Sequence, residues 1–420
     1  MEKLVIKGGS IPKGAVKLYA AKNSVLPILA CCTLTSCDIE IANCKPTNDI
    51  LDMLALLQSL GSKVQLDGDS IFINCQNLNT GIVPRQYAKK MRASVFLLGP
   101  LSVRTGLTKM GFPGGCNIGR RPIDIHINGL NKLGFDIEIK DGELICTKKF
   151  LSCGQVHLPF ASVGATENIM MAASGIKGIT TIKNAAQEPE VEDLAKFINA
   201  LGGDIEGAGT HTIVINGGKS FNSIRYTPIA DRIVAGTYLA LAASIPGSDI
   251  CIEKSNALHL QAPLKILQDK GCNITISKDA VRLKSNARQT ARKRIVTRPY
   301  PGFPTDLQAQ FMVMESVAKG QTTIVENLFE NRFNYCKELK NLGANIKVVG
   351  NSAKVIGVPE LVGNCVNATD LRGGAALVLA GVIAKGQTTV SDIYHIDRGY
   401  YNIESELSNL GVSIKRLTQI

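Results

Sequence analysis

A glycine-rich segment of the chain holds a cysteine close to two arginines. The stretch from Gly111 to Pro122 reads GFPGGCNIGRRP, with four glycines and two prolines, a composition typical of a mobile surface loop. Pro122 predicts the first turn of a helix that continues through IDIHINGLNKLG. Cys116 therefore precedes a positive helix end and lies near Arg120 and Arg121, and both effects favour its thiolate form. The pattern predicts a reactive thiol on a lid loop, with an incidental surface thiol as the alternative.

Three further basic residues stand where an anion could bind. Lys22 comes just before an apolar helix, for which Asn23 or Ser24 is the predicted capping residue. Arg92 opens another apolar helix, and Arg398 follows the strand-like run TTVSDIYHI in a predicted strand-end loop. If they converge on one anionic substrate, these side chains would form the kind of clamp that binds phosphates and carboxylates. Taken one at a time, each is equally compatible with a solvated or ion-paired surface residue.

One acidic residue stands at a predicted helix start. In the run PTDLQ, Thr305 occupies a predicted N-cap position and Asp306 falls in the first turn. An acid there complements the helix dipole, which is a sufficient structural explanation. A carboxylate held in this position also stays ionised, as a general base for a hydroxyl group must be.

Composition narrows the class of partner. The 420 residues carry a formal net charge of +12, which favours anionic partners. Aromatic residues make up only 5% of the chain and tryptophan is absent, which argues against a nucleic-acid-binding surface of interleaved basic and aromatic residues. No apolar run is long enough to span a membrane, and the N-terminus resembles no targeting signal. A small anionic substrate and a cytoplasmic location are therefore predicted.

The twelve cysteines are scattered along the chain, with Cys31 and Cys32 adjacent, and form no CxxC pair. The five histidines lack metal-ligand spacing, both among themselves and relative to the cysteines. Apart from Cys116, the cysteines are interpreted as small buried apolar residues. The sequence thus predicts neither disulfides nor a metal site.

The chain is built from an internal repeat of about 70 residues. A helical stretch that ends in Leu-Gly or Lys-Gly and leads into a strand recurs six times, with its glycine at positions 61, 134, 202, 271, 343 and 411. The alanine- and glycine-rich helices, such as the one that opens LVLAGVIAKGQTTVSDI, are nearly apolar on all sides, which predicts helices buried inside each domain with sheets outside. Six units favour two domains of three units each, with a boundary near residues 220–229.

Several motifs together resemble a known family. AAKNSVLPIL, MRASVFLLGP, GFPGGCNIGRRPIDIHINGL, SVGATENIMMAA, NAAQEPEVEDL, PGFPTDLQAQ, FENRFNYCKEL, ATDLRGGAALVLAG and YHIDRGY occur in this order along all six units. The set is similar to the UDP-N-acetylglucosamine 1-carboxyvinyltransferase family of enolpyruvyl transferases. The related family that acts on shikimate 3-phosphate (3-phosphoshikimate 1-carboxyvinyltransferases) is the alternative, and a nucleic-acid-binding repeat protein is the alternative from another class.

The resemblance implies an α/β (α+β) fold, a two-domain inside-out α/β barrel made of six βαβαββ repeats, three per domain. Residues 22–229 would form the N-terminal domain with the lid loop at about 111–122. Residues 1–21 and 230–420 would form the C-terminal domain, with the active site in a cleft between the two domains.

The resemblance also implies the reaction and its residues. Phosphoenolpyruvate would give its enolpyruvyl group to the 3′-hydroxyl of UDP-N-acetylglucosamine, the first committed step of peptidoglycan precursor synthesis, without a metal or organic cofactor. Cys116 would be the proton donor, the site of a covalent adduct and the target of fosfomycin, while Asp306 would be the base. The implied catalytic and phosphoenolpyruvate-binding residues also include Lys22, Asn23, Arg121 and Arg398. The implied UDP-sugar residues are Asn23, Arg92, Arg121, Pro122, Ile123, Asp124, Ile125, Ser162, Val163, Gly164, Asp306 and Leu328, with Arg332 and Asp370 as further cleft residues.

Overall fold

The structure is a computed structural model that describes residues 2–115, 118–119 and 121–418. Cys116, Asn117 and Arg120 therefore lie outside the described residues. The strands of the described chain follow in order: β1 (Glu2–Lys7), β2 (Lys13–Lys17), β3 (Asp38–Ile41), β4 (Lys63–Asp67), β5 (Ser70–Asn74), β6 (Ile82–Val83), β7 (Leu107–Gly111), β8 (Phe135–Lys140), β9 (Glu143–Lys148), β10 (Gln155–His157), β11 (Gly178–Lys183), β12 (Ile205–Glu206), β13 (Thr212–Gly217), β14 (Ile224–Tyr226), β15 (Asp249–Glu253), β16 (Asn273–Ile276), β17 (Ala280–Lys284), β18 (Arg294–Val296), β19 (Gln321–Val325), β20 (Asn345–Val349), β21 (Ser352–Ile356), β22 (Cys365–Asn367), β23 (Gln387–Ser391) and β24 (Ser413–Thr418).

The α-helices follow in order: α1 (Lys22–Cys31), α2 (Asn48–Ser59), α3 (Arg85–Ala88), α4 (Leu98–Thr105), α5 (Asp124–Lys132), α6 (Val163–Ser174), α7 (Pro189–Ala200), α8 (Arg232–Ser244), α9 (Gln261–Asp269), α10 (Gln308–Ser316), α11 (Cys336–Asn341), α12 (Leu371–Ile383), α13 (Tyr394–Asp397) and α14 (Ile403–Asn409). The 3₁₀ helices are Cys32–Leu34, Arg92–Leu97, Ala257–Leu260 and Thr305–Leu307. Three of the α-helices, α4, α9 and α10, directly continue 3₁₀ helices.

The described chain divides into two compact units. One unit contains residues 2–18, 118–119 and 230–418, and the other contains residues 19–115 and 121–229. We call them the C-terminal unit and the N-terminal unit. Each has its own hydrophobic core, because no buried residue of one core cluster belongs to the other.

Each unit contains three four-stranded sheets of the same design. In every sheet one pair of neighbouring strands is parallel and the other two pairs are antiparallel. The sheets of the N-terminal unit have the orders β14-β3-β5-β4, β6-β7-β9-β8 and β10-β11-β13-β12. Those of the C-terminal unit have the orders β16-β17-β15-β2, β18-β19-β21-β20 and β22-β23-β1-β24. Six equivalent sheets confirm the six-unit repeat that the sequence predicts.

Two strands of the C-terminal unit come from the start of the chain. β1 lies between β23 and β24 and is antiparallel to both, with Leu4 opposite Val390 and Ile6 opposite Ile414. β2 is parallel to β15 at the edge of another sheet. The last repeat is thus completed by residues that precede the first repeat.

The apolar helices lie inside the units, as the composition predicts. Every residue of α10 is buried, as are all residues of α12 except Ile383. Hydrophobic strand residues alternate inward, as Ile250 and Ile252 of β15 show. The glycine that follows each amphipathic helix has a positive φ angle, between 85° and 110°. A left-handed residue there stops the helix and turns the chain into the next hairpin.

Candidate functional site

Lys22 is the first residue of α1 in the N-terminal unit. The sequence predicted a capping role for Asn23 or Ser24, which is wrong: Ala21 is the N-cap residue and provides no side-chain cap. The Lys22 ammonium instead lies 3.0 Å from Oδ2 of Asp49 on α2, and the two side chains are only 11% and 5% exposed. A buried carboxylate therefore fixes the ammonium at this helix end.

Ser24 points to a different partner. Its hydroxyl donates a hydrogen bond to Asp193 on α7. Asp193 also accepts hydrogen bonds from the Tyr226 hydroxyl at 2.6 Å and from the Ile229 amide at 3.1 Å. Burial raises the pKa of Asp193 in spite of these donors. The carboxyl group thus ties the start of α1 to the end of the N-terminal unit at residue 229.

Arg92 and Arg121 meet in the N-terminal unit. Arg92 begins a 3₁₀ helix that runs into α4, which agrees with the predicted helix start. Its guanidinium donates a hydrogen bond to the backbone carbonyl of Arg121, which has a positive φ angle of 49°. Burial, and then the charge of Arg121, lowers the pKa of Arg92 to about 10. Two cations held this close favour an anion beside them.

His126 on α5 lies beside this pair and is buried. Burial, followed by the charges of Arg92 and Arg121, lowers its pKa to about 3. The Asn168 side-chain amide lies 3.2 Å from the ring Nδ1, so the imidazole is neutral and hydrogen-bonded. A β-carbon on Gly164 would come within 3.2 Å of the same ring. A side chain at this position of the SVGAT motif would therefore need the histidine ring to shift by a few tenths of an ångström.

The remaining predicted sugar-binding residues of this unit lie at two helix starts. Ser162 is the N-cap of α6, accepting a 3.4 Å hydrogen bond from the Ala165 amide, and Val163 and Gly164 form its first turn. The other helix, α5, begins at Asp124, so the prediction that Pro122 occupies its first turn is wrong by two residues. Ile123 takes the N-cap position and is buried, and Asp124 and Ile125 form the first turn. Phe160, two residues before this N-cap Ser162, is 48% exposed.

Asp306 in the C-terminal unit is held by two arginines. Arg332 donates to Oδ1 at 2.8 Å, and Arg372 donates to Oδ2 through Nε at 3.2 Å and a terminal nitrogen at 3.1 Å. The two arginine side chains are 4% and 3% exposed, whereas Asp306 is 27% exposed. The carboxylate therefore keeps one accessible side while both its oxygens face fixed cations.

Arg372 is a partner of Asp306 that the sequence did not single out. It is the second residue of α12, whose N-cap is Asp370. Asp370 Oδ1 accepts hydrogen bonds from the backbone amides of Arg372 and Gly373, both at 3.0 Å. Burial lowers the pKa of Arg372, but Asp306 and further neighbours raise it above its usual range. The predicted cleft residue Asp370 thus acts on the position of Arg372 through the helix start.

Leu328 and the Asp306 segment share a second buried support. Oε1 of Glu326 accepts the Leu328 amide at 2.9 Å, and Oε2 accepts the Thr305 hydroxyl at 2.9 Å. Glu326 is 2% exposed. Two segments that the sequence assigned to the site are therefore joined by one carboxyl group that it did not identify.

Arg398 directly follows the one-turn helix α13, so the predicted strand-end loop is wrong. Asp397, its neighbour, binds both terminal nitrogens of Arg416 at 2.9 and 2.7 Å. Arg416 belongs to β24 and also contacts Glu404 and Glu2. The backbone that carries Arg398 is thus attached to the sheet.

The structure brings some predicted residues into direct contact. Arg92 contacts Arg121 in the N-terminal unit, and Asp306 contacts Arg332 in the C-terminal unit. Cys116 lies outside the described residues, so its predicted role stays a prediction. Asp49, Glu326 and Arg372 were missed because their partners are far away in sequence, although Arg372 lies within the quoted motif ATDLRGG.

Two classes of feature are absent from the described residues. None of their histidine, cysteine, aspartate and glutamate side chains cluster in groups of three or more that could hold a metal ion. No helix in the described ranges is both long and apolar enough to cross a membrane.

Comparison with known proteins gives one consistent family. The model of EPSP synthase (3-phosphoshikimate 1-carboxyvinyltransferase) matches residues 6–407. The chain is 44% identical over 417 residues to UDP-N-acetylglucosamine 1-carboxyvinyltransferase 2 of Caldanaerobacter subterraneus, covering 99% of this chain and 100% of that one. It is 45% identical over 419 residues to the protein of the same name from Clostridium tetani, again covering 99% and 100% of the two chains.

Solved structures share the fold. The enolpyruvyl transferase NikO from Streptomyces tendae superposes with a TM-score of 0.90 at 23% identity, covering 100% of this chain and 99% of that one. EPSP synthase from Acinetobacter baumannii superposes with a TM-score of 0.76 at 16% identity over the whole of both chains. The six-sheet architecture is thus that of the inside-out α/β barrel that the sequence predicted.

Proposed function

Because the chain belongs to the EPSP synthase family of enolpyruvyl transferases, we propose that it transfers the enolpyruvyl group of phosphoenolpyruvate to UDP-N-acetylglucosamine. The group goes to the 3′-hydroxyl of the sugar and phosphate is released. The observation that carries the proposal is the 43–46% identity, over nearly the whole chain, to relatives named for this transfer. The reaction is the first committed step of peptidoglycan precursor synthesis, so the proposal extends to cell wall biogenesis, cell shape and cell division.

Asp306 is the proposed acceptor of the hydroxyl proton. The paired cations Arg332 and Arg372 favour its ionised form, so it is ready to accept a hydrogen bond. The same cations make it a weak base, and it gains a proton only as the hydroxyl oxygen bonds to C2 of phosphoenolpyruvate. The 27% exposure of the carboxylate gives the substrate access.

Lys22, Arg121 and Arg398 are the proposed ligands of the phosphate and carboxylate of phosphoenolpyruvate. Asn23 and Arg92 are proposed to contact the substrates beside them, and Ser162, Val163, Gly164 and Leu328 to contact the UDP-sugar, together with residues 121–125. Fixed cations stabilise charge that grows on the departing phosphate, since they need no reorganisation during the reaction.

Cys116 is the proposed acid. As the sugar oxygen adds to C2, the thiol gives its proton to C3 and Asp306 takes the hydroxyl proton, which forms a tetrahedral phospho-ketal. In the second step C3 returns a proton to the thiolate, the C2–O bond to phosphate breaks, and phosphate leaves with the proton held by Asp306. The enol ether remains, and both protein groups regain their starting protonation.

The same thiol is the proposed site of a covalent phosphoenolpyruvate adduct and of alkylation by fosfomycin. Such an epoxide reacts with a thiolate, whereas the catalytic step needs the thiol, so the two roles use different protonation states. We also propose a cytoplasmic location, where these phosphorylated substrates would be met.

The test is phosphate release from phosphoenolpyruvate with two acceptors, UDP-N-acetylglucosamine and shikimate 3-phosphate. We expect release with the nucleotide sugar only. Preference for shikimate 3-phosphate would replace the proposal with the reaction for which the family model is named. Release with neither acceptor would reject both.

The acid is tested by Cys116→Ser and Cys116→Asp. We expect Cys116→Ser to be nearly inactive, because a serine hydroxyl is a far weaker proton donor. Cys116→Asp, which keeps a proton donor, should retain activity and resist fosfomycin. Full activity of Cys116→Ser would remove this residue from the mechanism.

A further inference from the structure

A buried hydrogen-bonded cluster lies behind Arg372 in the C-terminal unit. The hydroxyl oxygens of Thr237 and Tyr400 are 2.8 Å apart, and the Gln310 amide nitrogen lies 3.1 Å from Tyr400 and 3.2 Å from Thr237. Thr237 and Gln310 are fully buried and Tyr400 is 3% exposed. The three residues belong to α8, α10 and the turn after α13, so the cluster joins three separate segments.

The donors and acceptors of this cluster can be assigned. The Thr237 hydroxyl donates to the Ile233 carbonyl at 2.8 Å, and a hydroxyl has only one proton to donate. The Tyr400 hydroxyl must therefore donate to Thr237, while it accepts from Gln310. Both hydroxyl interactions fix the rotation and tilt of the Tyr400 ring.

The Tyr400 ring supports the guanidinium that holds Asp306. The Arg372 guanidinium carbon lies 5.5 Å from the ring centroid, within cation–π range. Its Nε and one terminal nitrogen bind Asp306, whereas the other terminal nitrogen is buried without a hydrogen-bond partner among the described residues. Hydrogen bonds therefore fix one edge of the guanidinium, and the aromatic ring fixes its plane.

Tyr400 also lies two residues after Arg398. Its backbone amide donates to the Ile396 carbonyl at 3.0 Å, which continues the turn that carries Arg398. This turn is held by its own backbone hydrogen bond, so removing the Tyr400 hydroxyl frees the ring without freeing the turn that carries Arg398.

We propose that Tyr400, fixed by Thr237 and Gln310, is a positioning residue that holds Arg372 against the Asp306 carboxylate. This inference rests on the proposed function, in which Asp306 accepts the hydroxyl proton. Tyr400 touches no substrate in this scheme. Its hydroxyl fixes the ring, and the ring orients the arginine.

The test replaces Tyr400 by Phe, which keeps the ring and removes the hydroxyl. We expect kcat with UDP-N-acetylglucosamine to fall about tenfold, with both KM values within about threefold of wild type, because the proton acceptor is displaced while the substrate contacts remain. The acid limb of the pH–rate profile should move to higher pH by about half a unit or more, since a loosened Arg372 stabilises the ionised carboxylate less.

Ser316→Ala is the matched control. Ser316 is on α10 with Gln310, is fully buried, and donates its hydroxyl to the Met312 carbonyl rather than to the cluster. This control should lose about as much stability as Tyr400→Phe, but the acid limb of its pH–rate profile should stay at the wild-type position. Thr237→Val removes the other hydroxyl of the cluster and should reproduce the effect of Tyr400→Phe. It serves as the test if Tyr400→Phe does not fold.

A second measurement separates this inference from the proposed function. The carboxyl carbon of Asp306 is followed by ¹³C NMR as the pH is varied. Its resonance is identified as the one that disappears in Asp306→Asn. A titration that moves to higher pH in Tyr400→Phe supports the positioning role even if the wild type releases no phosphate. Unchanged Asp306 titration in both cluster variants overturns the inference, whether or not the wild type is active on the nucleotide sugar.

Discussion

The ion pair of Lys22 with Asp49 offers the sharpest test of how the N-terminal unit binds an anion. The two groups are 3.0 Å apart and the side chains are 11% and 5% exposed, so solvent screens them poorly. At this distance two unit charges interact by about 5 kcal/mol at an effective dielectric constant of about 20. Removing one partner of such a buried pair costs about 3 to 5 kcal/mol.

Asp49→Asn keeps the shape of the side chain and one acceptor oxygen, so we expect the lower end of that range. The free energy of unfolding should fall by about 3 kcal/mol, measured by urea unfolding. The KM for phosphoenolpyruvate should rise at least about tenfold, because the ammonium is no longer held where the phosphate needs it. The KM for UDP-N-acetylglucosamine should change by less than about threefold.

Asp52→Asn is the matched control on the same helix. Asp52 also pairs with a lysine, Lys90, at 3.0 Å, but the two side chains are 28% and 53% exposed. For this control we expect the free energy of unfolding to fall by less than about 1 kcal/mol and neither KM to change. A KM for phosphoenolpyruvate that is unchanged or lower in Asp49→Asn would refute the reasoning, because Asp49 would then be neutral or would compete with the substrate.

Three further outcomes are expected. The neutral His126 contributes stability that is fully present above pH 6.5 and is lost as the pH falls towards its folded-state pKa of about 3. Between pH 7 and pH 5, the free energy of unfolding measured in urea should therefore fall by about 2 kcal/mol less in His126→Gln than in the wild type. Burial, followed by the charges of Glu190 and Glu188, raises the pKa of Glu167, so the stability that its protonated form contributes is lost as the pH rises above 4.5. Glu167→Gln should therefore reduce the decline of the melting temperature as the pH is raised from 4.5. Arg416→Gln frees the turn before Arg398 and should raise the KM for phosphoenolpyruvate about threefold or more without moving the acid limb of kcat, as steady-state kinetics would show.

The sequence predicts the fold well because its signals are local and repeated. Each Leu-Gly or Lys-Gly helix end requires a left-handed glycine, and all six are observed. The all-apolar character of α10 and α12 requires burial on every side, which only an interior position provides. These features need no knowledge of distant contacts.

The site is harder to predict from the sequence, because its contacts join residues that are far apart along the chain. Asp306 and Arg372 are 66 residues apart, and Lys22 and Asp49 are 27 apart. The wrong capping prediction for Ser24 has the same origin, since a hydroxyl that could cap α1 is instead bound by Asp193 on α7. Local patterns identified the segments, but the pairing of charges follows from the packing of helices.

The place of β1 between β23 and β24 has a consequence for synthesis on the ribosome. Glu2 pairs with Thr418, so β1 leaves the exit tunnel long before its partner strand β24 is synthesised. At about 5 to 20 residues per second the delay is about 20 to 80 s. Strand β1 spends this time as an unpaired edge, and its charged residues Glu2, Lys3 and Lys7 protect it from pairing with other nascent chains.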